Sequence, residues 1–244
     1  MIKTDEIKYL IIERIHVLSQ EDIREIENKC GLKVLDGRNE IIEQTPYVLK
    51  EIYRLRNQLL NEKEILIISD DTYLTEKLTI DIAKYLRFLT IYSKDKDFTW
   101  ELVKKTLIET GLSLQSIERL DNTLHKFEII INMSSNVKLD THNIKKGAII
   151  IDVSIGRVLK FINTNRKDIV IITDFIFNNS AALIGGSDEF SFEEKVSSYI
   201  YEGIKDESNN NLVELRANEK NYGIKELVEV FYGKKRNQSI FSTK

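Results

Sequence analysis

Three polar side chains follow a short apolar run and could together hold a charged or hydroxylated ligand: Asp152, Ser154 and Arg157. The run, at residues 148–151, is typical of a strand buried on both faces of a parallel sheet. Ligands bind outside the carboxyl ends of such strands. We therefore expect Arg157 to neutralise a phosphate or carboxylate and Asp152 to orient a hydroxyl group. In the alternative interpretation, Asp152 ends the strand by accepting backbone hydrogen bonds, and Arg157 lies on the surface.

Two other strand ends carry polar residues of the same kinds. Ser134 and Ser135 follow the apolar run at residues 127–132, and Asp174 follows the run at residues 169–173. Because the carboxyl ends of parallel strands meet at one edge of a sheet, we expect these side chains beside the same ligand. Serine- and asparagine-rich turns also occur without a ligand, so a plain turn is the alternative.

The composition describes a globular protein without a strong net charge. The 244 residues are 42% hydrophobic and 31% charged, which is typical of a folded chain and not of a disordered one. The formal net charge of −3 gives no global attraction to nucleic acid or to an anionic membrane surface. No apolar run approaches the ~20 residues of a membrane span. We expect a cytoplasmic protein whose partner is a small-molecule metabolite or a nucleotide, with a homodimer as a candidate assembly.

The remaining reactive side chains do not form a recognisable site. Cys30 is the only cysteine, which excludes a disulfide framework and indicates a structural thiol. The three histidines are scattered, without the spacing of a metal site or a catalytic triad, so we predict no metal. The polar turn at residues 36–39 could contact a ligand. Gly185–Gly186 could bring the backbone close to a ligand, but we expect a plain turn there.

Strands and helices alternate along the chain, which predicts an α/β fold with a Rossmann-like, doubly wound parallel sheet. The predicted strands cover residues 7–13, 32–35, 64–69, 88–93, 114–117, 127–132, 148–153 and 169–173. The predicted helices cover residues 19–28, 46–60, 72–87, 99–110, 191–204 and 224–232. We expect a small N-terminal βαβ element at 1–43, the Rossmann-like domain at 44–204, and a C-terminal helical segment and tail at 205–244.

Helix ends are marked by residues with known capping preferences. Ser19 is a predicted N-cap, with the acidic Asp22 three positions later, and Gly31 is predicted to end the same helix. Thr45 is the predicted N-cap of the next helix, with Pro46 at its first position, where the missing N–H has no cost.

Several segments occur in an order that resembles a known family. They are Gln44–Pro46 before an apolar helix, the strand at 65–69, the strand at 127–134, the segment Lys146–Val153, and Gly156–Val158. Residues 44 to 200 resemble the dinucleotide-binding half of the bifunctional methylenetetrahydrofolate dehydrogenase/cyclohydrolase family. Domains of the shikimate dehydrogenase and glutamyl-tRNA reductase type share parts of this pattern. The resemblance implies NAD or NADP as cofactor, with the nicotinamide beside Ser134.

The resemblance also implies a phosphate loop after the strand at 64–69, with Ser69, Asp70 and Thr72 at the cofactor. The family has a glycine-arginine-serine loop there, whereas residues 69–75 of this chain contain neither glycine nor arginine. Asp70 and Asp71 instead put carboxylates near the phosphates, each repelling a unit charge at ~4 Å by about 1 kcal/mol in water and up to about 4 kcal/mol at an effective dielectric constant of 20. Alternatively, these aspartates simply cap the helix that follows.

Two functions are therefore expected from the sequence. The first is a divergent NAD(P)-dependent dehydrogenase-like protein that acts on or binds a small metabolite. The second is a non-catalytic Rossmann-like module that has lost dinucleotide binding and serves binding or protein interaction. The family's catalytic N-terminal domain has no counterpart among the roughly forty residues before Thr45, so the resemblance implies no catalytic residue.

Overall fold

The alternating apolar and amphipathic segments form one large sheet with helices packed on it, and a separate two-stranded ribbon. The computed structural model describes residues 7–12, 15–120, 123–159, 166–178, 194–205 and 211–233. The strands are β1 (Tyr9–Ile11), β2 (Lys33–Leu35), β3 (Glu64–Ser69), β4 (Phe88–Ser93), β5 (Gln115–Ser116), β6 (Ile129–Asn132), β7 (Ile149–Asp152), β8 (Val170–Asn178), β9 (Lys195–Ser197), β10 (Leu212–Ala217) and β11 (Lys220–Tyr222). The α-helices are α1 (Gln20–Cys30), α2 (Arg38–Leu55), α3 (Thr72–Ala83), α4 (Lys96–Thr110), α5 (Ser198–Ile204) and α6 (Ile224–Tyr232).

The main sheet has the strand order of a Rossmann fold. Over the described ranges its strands run in the order β11-β10-β8-β7-β6-β3-β4-β5, and β9 pairs with β8. All neighbours from β8 to β5 are parallel, whereas β9 and β10 run antiparallel to β8. Counted from β3, the six parallel strands have the order 3-2-1-4-5-6. The predicted α/β class with a Rossmann-like parallel sheet is confirmed.

The central strands are apolar throughout because both faces of the sheet are covered. On one face, Ile65 and Ile67 of β3 pack with the helices α2, α3 and α4 in the larger core cluster. On the other face, Leu66 and Ile68 pack with side chains of the connecting segments, such as Phe127. The connection from β6 to β7 contains a single 3-10 turn at Thr141–Asn143 in place of an α-helix.

The N-terminal element forms the predicted βαβ unit. Strands β1 and β2 are parallel to each other and are joined by α1. The apolar side of α1, around Ile23, packs with Ile155 from the loop that follows β7. The N-terminal element therefore lies against the carboxyl edge of the main sheet, next to the predicted site.

Helix α2 begins at Arg38, well before the predicted start, so the assignment of Thr45 as N-cap and Pro46 as first residue was wrong. Thr45 lies inside the helix and donates its hydroxyl proton to Ile41 O at 2.7 Å. Proline inside a helix costs about 3 kcal/mol or more. The helix continues through it because Ile42 and its apolar neighbours on both sides of the proline are fully buried in the core.

The predicted helix ends at Ser19, Gly31 and Gly111 are confirmed. Ser19 and Asp22 form a reciprocal capping box at the start of α1, and Gly31 ends that helix in the left-handed conformation with φ 65°. Helix α4 ends at Gly111 in the same way, but it begins at Lys96 with Asp95 as its N-cap.

The C-terminal part of the sheet differs most from expectation. Residues 195–197 form the strand β9 and not part of the predicted helix, which is reduced to α5. Strands β10 and β11 form a hairpin that the sequence analysis did not predict, whereas α6 matches its predicted range. Gly185–Gly186 and the first residues of the helix predicted from 191 lie outside the described residues. Among the helices described, none is both long and apolar enough to cross a membrane.

Candidate functional site

The sheet places polar residues at the carboxyl ends of its central strands. Ser69 ends β3, Ser93 ends β4, Asn132 ends β6 and Asp152 ends β7. From β3 the chain proceeds to β4 and β5 on one side, and from β6 it proceeds to β7 and β8 on the other side. The gap between β3 and β6 is therefore the topological switch point, where open α/β sheets bind their ligands.

A hydrogen bond bridges this switch point. Asp70 Oδ2 accepts the hydroxyl proton of Ser134 at 2.8 Å, which links the segment after β3 to the segment after β6. The amide of Asn132 is fully buried and fixes the backbone of Ser134, accepting from its N–H at 3.1 Å and donating to its carbonyl oxygen at 3.0 Å. Asp70 itself is exposed, so one carboxylate faces solvent at the position between the two strands.

Asp152 holds the loop after β7. Its buried carboxylate accepts from Asn132 Nδ2 at 3.0 Å and from the Ser154 hydroxyl at 2.6 Å on Oδ1, and from the Leu159 N–H at 2.7 Å on Oδ2. These contacts are those of the strand-end interpretation, in which the carboxylate accepts hydrogen bonds from the protein. Together with Asn132 they extend the network from β6 to β7.

The loop after β7 forms the rim of the switch point. Arg157 has a left-handed backbone with φ 50°, is half-buried, and donates from Nη1 to Ser154 O at 3.0 Å. Ser135 donates its hydroxyl proton to Ile155 O at 3.0 Å, which ties the loop after β6 to this loop. Ser154 and Arg157 line a narrow crevice of about 20 Å³ that Arg38 also lines.

The turn from β3 to α3 is closed by its own side chains. Ser69 is buried, accepts from the Asp71 N–H at 2.9 Å, and contacts the hydroxyl of Thr75. Asp71 Oδ1 accepts from the Leu74 N–H at 3.0 Å and so caps α3. Asp71 is therefore the N-cap of α3, as in the alternative interpretation, and Thr72 is the exposed first residue of the helix.

Arg38 neutralises part of the acidic turn. It donates from Nη1 to Asp71 Oδ2 at 2.9 Å and from Nε to Asp36 Oδ2 at 2.7 Å, and all three side chains are largely buried. Burial alone would lower the pKa of Arg38, but the charges and hydrogen bonds of the two carboxylates outweigh burial and raise it. The three side chains form a rigid group, the Arg38 clamp (Asp36, Arg38 and Asp71), whose formal charge is negative.

Asp174 lies apart from this network. It stands inside β8 and not after its strand as predicted, because β8 continues to Asn178. Its carboxylate accepts the hydroxyl proton of Ser198 at 2.6 Å at the start of α5. The carboxylate of Asp174 thus connects β8 to the first residue of α5.

The structure brings the predicted residues into three groups. Asp70, Ser134, Asp152 and Ser154 belong to the hydrogen-bond network across the strand ends, Ser69 and Thr72 belong to the β3–α3 turn, and Ser135 and Arg157 belong to the rim. Sequence reasoning missed the roles of Asn132 and Arg38. Asn132 has a detectable signal, since it is the polar last residue of an apolar run. Arg38 lies in the polar turn at residues 36–39, but its pairing with Asp71, 33 positions away, has no local signal.

Comparison with known proteins gives a likeness of fold only. No family model matches the sequence, and no curated protein matches it. Among solved structures, quinate dehydrogenase from Corynebacterium glutamicum in complex with NAD has a TM-score of 0.41 and 8% identity, over 50% of this chain and 48% of that chain. L-tryptophan dehydrogenase from Nostoc punctiforme has a TM-score of 0.38 and 12% identity, over 68% of this chain and 48% of that chain.

A third structure is shikimate 5-dehydrogenase from Listeria monocytogenes in complex with shikimate and NAD. It has a TM-score of 0.36 and 13% identity, over 45% of this chain and 43% of that chain. The chain thus spans less than half the length of each of these three dehydrogenases. Identities and TM-scores this low indicate nothing about the substrate.

Proposed function

We propose that this chain is a dehydrogenase-like Rossmann protein that binds NAD or NADP across the carboxyl ends of β3 and β6 and acts on a small metabolite. The observation that carries the proposal is the strand order, because the order 3-2-1-4-5-6 with its switch point is that of dinucleotide-binding sheets. The polar network at this edge supports it, since it offers Ser134 and the loop backbone to a ligand.

The end of β4 fits the adenosine part of NADP better than that of NAD. Rossmann domains that bind NAD carry a carboxylate near this position for the ribose 2′-hydroxyl, and those that bind NADP use a cationic side chain near the 2′-phosphate. Here β4 ends at Ser93, followed by the exposed Lys94. The nearest carboxylate, Asp95, caps α4 by accepting from the Phe98 N–H at 2.9 Å. We therefore expect NADP to bind more tightly than NAD.

The pyrophosphate fits less well and must be held without glycine contacts. The first residues of α3, Thr72 and Tyr73, lie at the amino end of the helix, where N–H groups and the helix dipole favour an anion. Asp71 already accepts from Leu74 there, but its charge is shared with Arg38. Asp70 is the less compensated carboxylate, so weak binding is expected.

When bound, the nicotinamide would supply or accept a hydride. The side chains that would position it are those after β6, where Ser134 accepts from the Asn136 N–H at 3.2 Å and donates to Asp70. These contacts hold the loop in one conformation, so a ring beside it would meet a preformed surface. The buried Asn132 and Asp152 support the same loop from below.

A second function is favoured by one specific observation. Asp71 of the Arg38 clamp already places a carboxylate at the amino end of α3, where it accepts the hydrogen bond that a phosphate would otherwise accept. If this contact excludes a dinucleotide, the chain is a non-catalytic Rossmann-like module that binds another ligand or a partner protein.

A titration of the full chain with NADPH, followed by nicotinamide fluorescence, separates the two functions. Saturable binding, tighter for NADPH than for NADH, supports the first function, and its absence at millimolar nucleotide supports the second. The variant Lys94→Glu is expected to weaken NADPH binding at least tenfold, about 1.4 kcal/mol. Lys84→Glu at the end of α3 is the matched control.

The finer expectations belong to the same proposal. They are the specific resemblance to methylenetetrahydrofolate dehydrogenase/cyclohydrolase, a homodimer and a cytoplasmic location. Size-exclusion chromatography with light scattering is the direct measurement of the homodimer.

A further inference from the structure

A cavity of about 250 Å³ lies between the N-terminal element and the amino end of α3. Its walls come from α1, β2 and the start of α2 on one side, and from Asp71 and Tyr73 on the other. Sites for drug-sized ligands have volumes of roughly 300–1,000 Å³, so this cavity suits a smaller metabolite. It adjoins the β3–α3 turn through Asp71, so its occupant would lie next to the switch point.

Part of the cavity lining is acidic and has free acceptor capacity. The acidic side chains are Asp36 and Asp71 of the Arg38 clamp, together with Glu202 of α5. A carboxylate offers about four acceptor positions. Glu202 accepts from the Gly37 N–H at 2.8 Å and from Asn39 Nδ2 at 2.9 Å, which leaves positions for another donor.

The clamp itself favours a cation. Two carboxylates, Asp36 and Asp71, share the single positive charge of Arg38, and each keeps acceptor positions beyond the hydrogen bonds it already makes. Because these side chains are largely buried, the excess negative charge is weakly screened by solvent. An ammonium group in the cavity would balance it.

Two cationic side chains also line the cavity. They are Arg24 of α1 and Lys33 of β2, and both are exposed. In the part of the chain that the structure describes, neither forms an ion pair. Glu27, an acidic residue that also lines the cavity, accepts from the Val34 N–H at 2.9 Å. The two cations are therefore available to an anionic group of a ligand.

We infer that this cavity binds a zwitterionic metabolite, namely a free α-amino acid. Its ammonium group faces Asp36, Asp71 and Glu202, and its carboxylate faces Arg24 and Lys33. The lining has three cationic and four acidic side chains, so it disfavours a dianion and offers partners to both groups of a ligand that carries an ammonium and a carboxylate. This inference adds a substrate class to the proposed function. Binding of the amino acid does not depend on the proposed function, whereas its role as a substrate rests on it.

The test is a calorimetric titration of the full chain with each standard amino acid, with and without NADPH. An amino acid that binds is then compared with the matching acid without its amino group and with its amide. We expect both analogues to bind at least tenfold more weakly. No binding of any amino acid at millimolar concentration, or equal binding of an analogue, would overturn the inference.

Variants locate the ligand in the cavity. The double variant Arg24→Ala/Lys33→Ala should raise the dissociation constant of the amino acid at least tenfold. Lys29→Ala is the matched control, because Lys29 lies on α1 but pairs with Glu25 and does not line the cavity. Equal affinity in the double variant and the wild type would overturn the inference, and circular dichroism checks that the variants fold.

The NADPH arm separates this inference from the proposed function. Amino-acid binding without any NADPH binding supports the inference and contradicts the proposed function. NADPH binding without any amino-acid binding does the reverse.

Discussion

Removal of negative charge from the β3–α3 turn should tighten dinucleotide binding. Asp70→Asn keeps an oxygen for the Ser134 hydroxyl, and Asp71→Asn keeps an N-cap oxygen for Leu74, so both variants preserve the turn. A unit charge about 4 Å from a phosphate repels it by about 1 kcal/mol in water and about 4 kcal/mol at an effective dielectric constant of 20.

The two positions should differ because their surroundings differ. Asp70 is exposed, so its removal should gain about 1 kcal/mol, or roughly fivefold in affinity. Asp71 is largely buried, but Arg38 balances its charge, so Asp71→Asn also frees Arg38 to approach the phosphates. We expect Asp71→Asn to give the larger gain, about tenfold or 1.4 kcal/mol.

The assay is a fluorescence titration with NADPH at low and at physiological ionic strength. The gains should shrink as salt rises, because the screening length is about 8 Å at physiological ionic strength. Asp81→Asn, on the exposed end of α3 beside Lys84, is the control and should leave the affinity unchanged. Unchanged or weaker NADPH binding in both turn variants would refute the electrostatic reasoning.

Three further predictions concern stability. Gly147 has φ +76°, so Gly147→Val should lower the free energy of unfolding by about 1–2 kcal/mol. A Cβ atom at Gly223 would meet no neighbour, so Gly223→Ala should change this free energy little. Equal effects of the two variants in urea unfolding would contradict the backbone argument. Asp152→Ala leaves buried donors unpaired and should cost about 2–4 kcal/mol by the same measurement, and a loss below about 1 kcal/mol would contradict the network. Burial raises the pKa of Glu40 above its ordinary value of about 4.5 despite its hydrogen bond to Lys205. The folded state therefore binds more protons than the unfolded state, and the free energy of unfolding falls as the pH rises above about 4.5. Glu40→Gln should remove this fall, and an unaltered difference in the free energy of unfolding between pH 4.5 and 7 would refute the prediction.

The parts of the fold that the sequence predicted are those governed by local pattern. Strands β3 and β4 were predicted at their observed limits, because a continuous apolar run leaves one arrangement that buries it. The capping box at Ser19 and the left-handed Gly31 depend on neighbouring residues only. Such features need no knowledge of the rest of the chain.

The errors arose where distant contacts decide. Pro46 favours a helix start, but the burial of Ile42 and its neighbours extends α2 towards the N-terminus. The β10–β11 hairpin turns at Asn218 and Glu219, both at positive φ, and a glutamate there lacks the glycine signal of such turns. Pairing with β8 stabilises the hairpin despite this.

The candidate site divides in the same way. The position of Asp152 and Ser134 at strand ends followed from the apolar runs before them. The bond from Asp70 to Ser134 joins residues 64 positions apart, and the Arg38 clamp joins two elements of different parts of the chain. Neither contact leaves a periodic pattern, so the sequence alone could not reveal that the acidic turn is partly neutralised.

The proposed dinucleotide site lies at the switch point between β3 and β6. Its most direct test is calorimetric titration of the wild-type chain with NADPH, repeated with Asp70→Asn. The account predicts one site per chain, weak in the wild type and tighter in the variant. Absence of binding in both proteins at millimolar NADPH would contradict it.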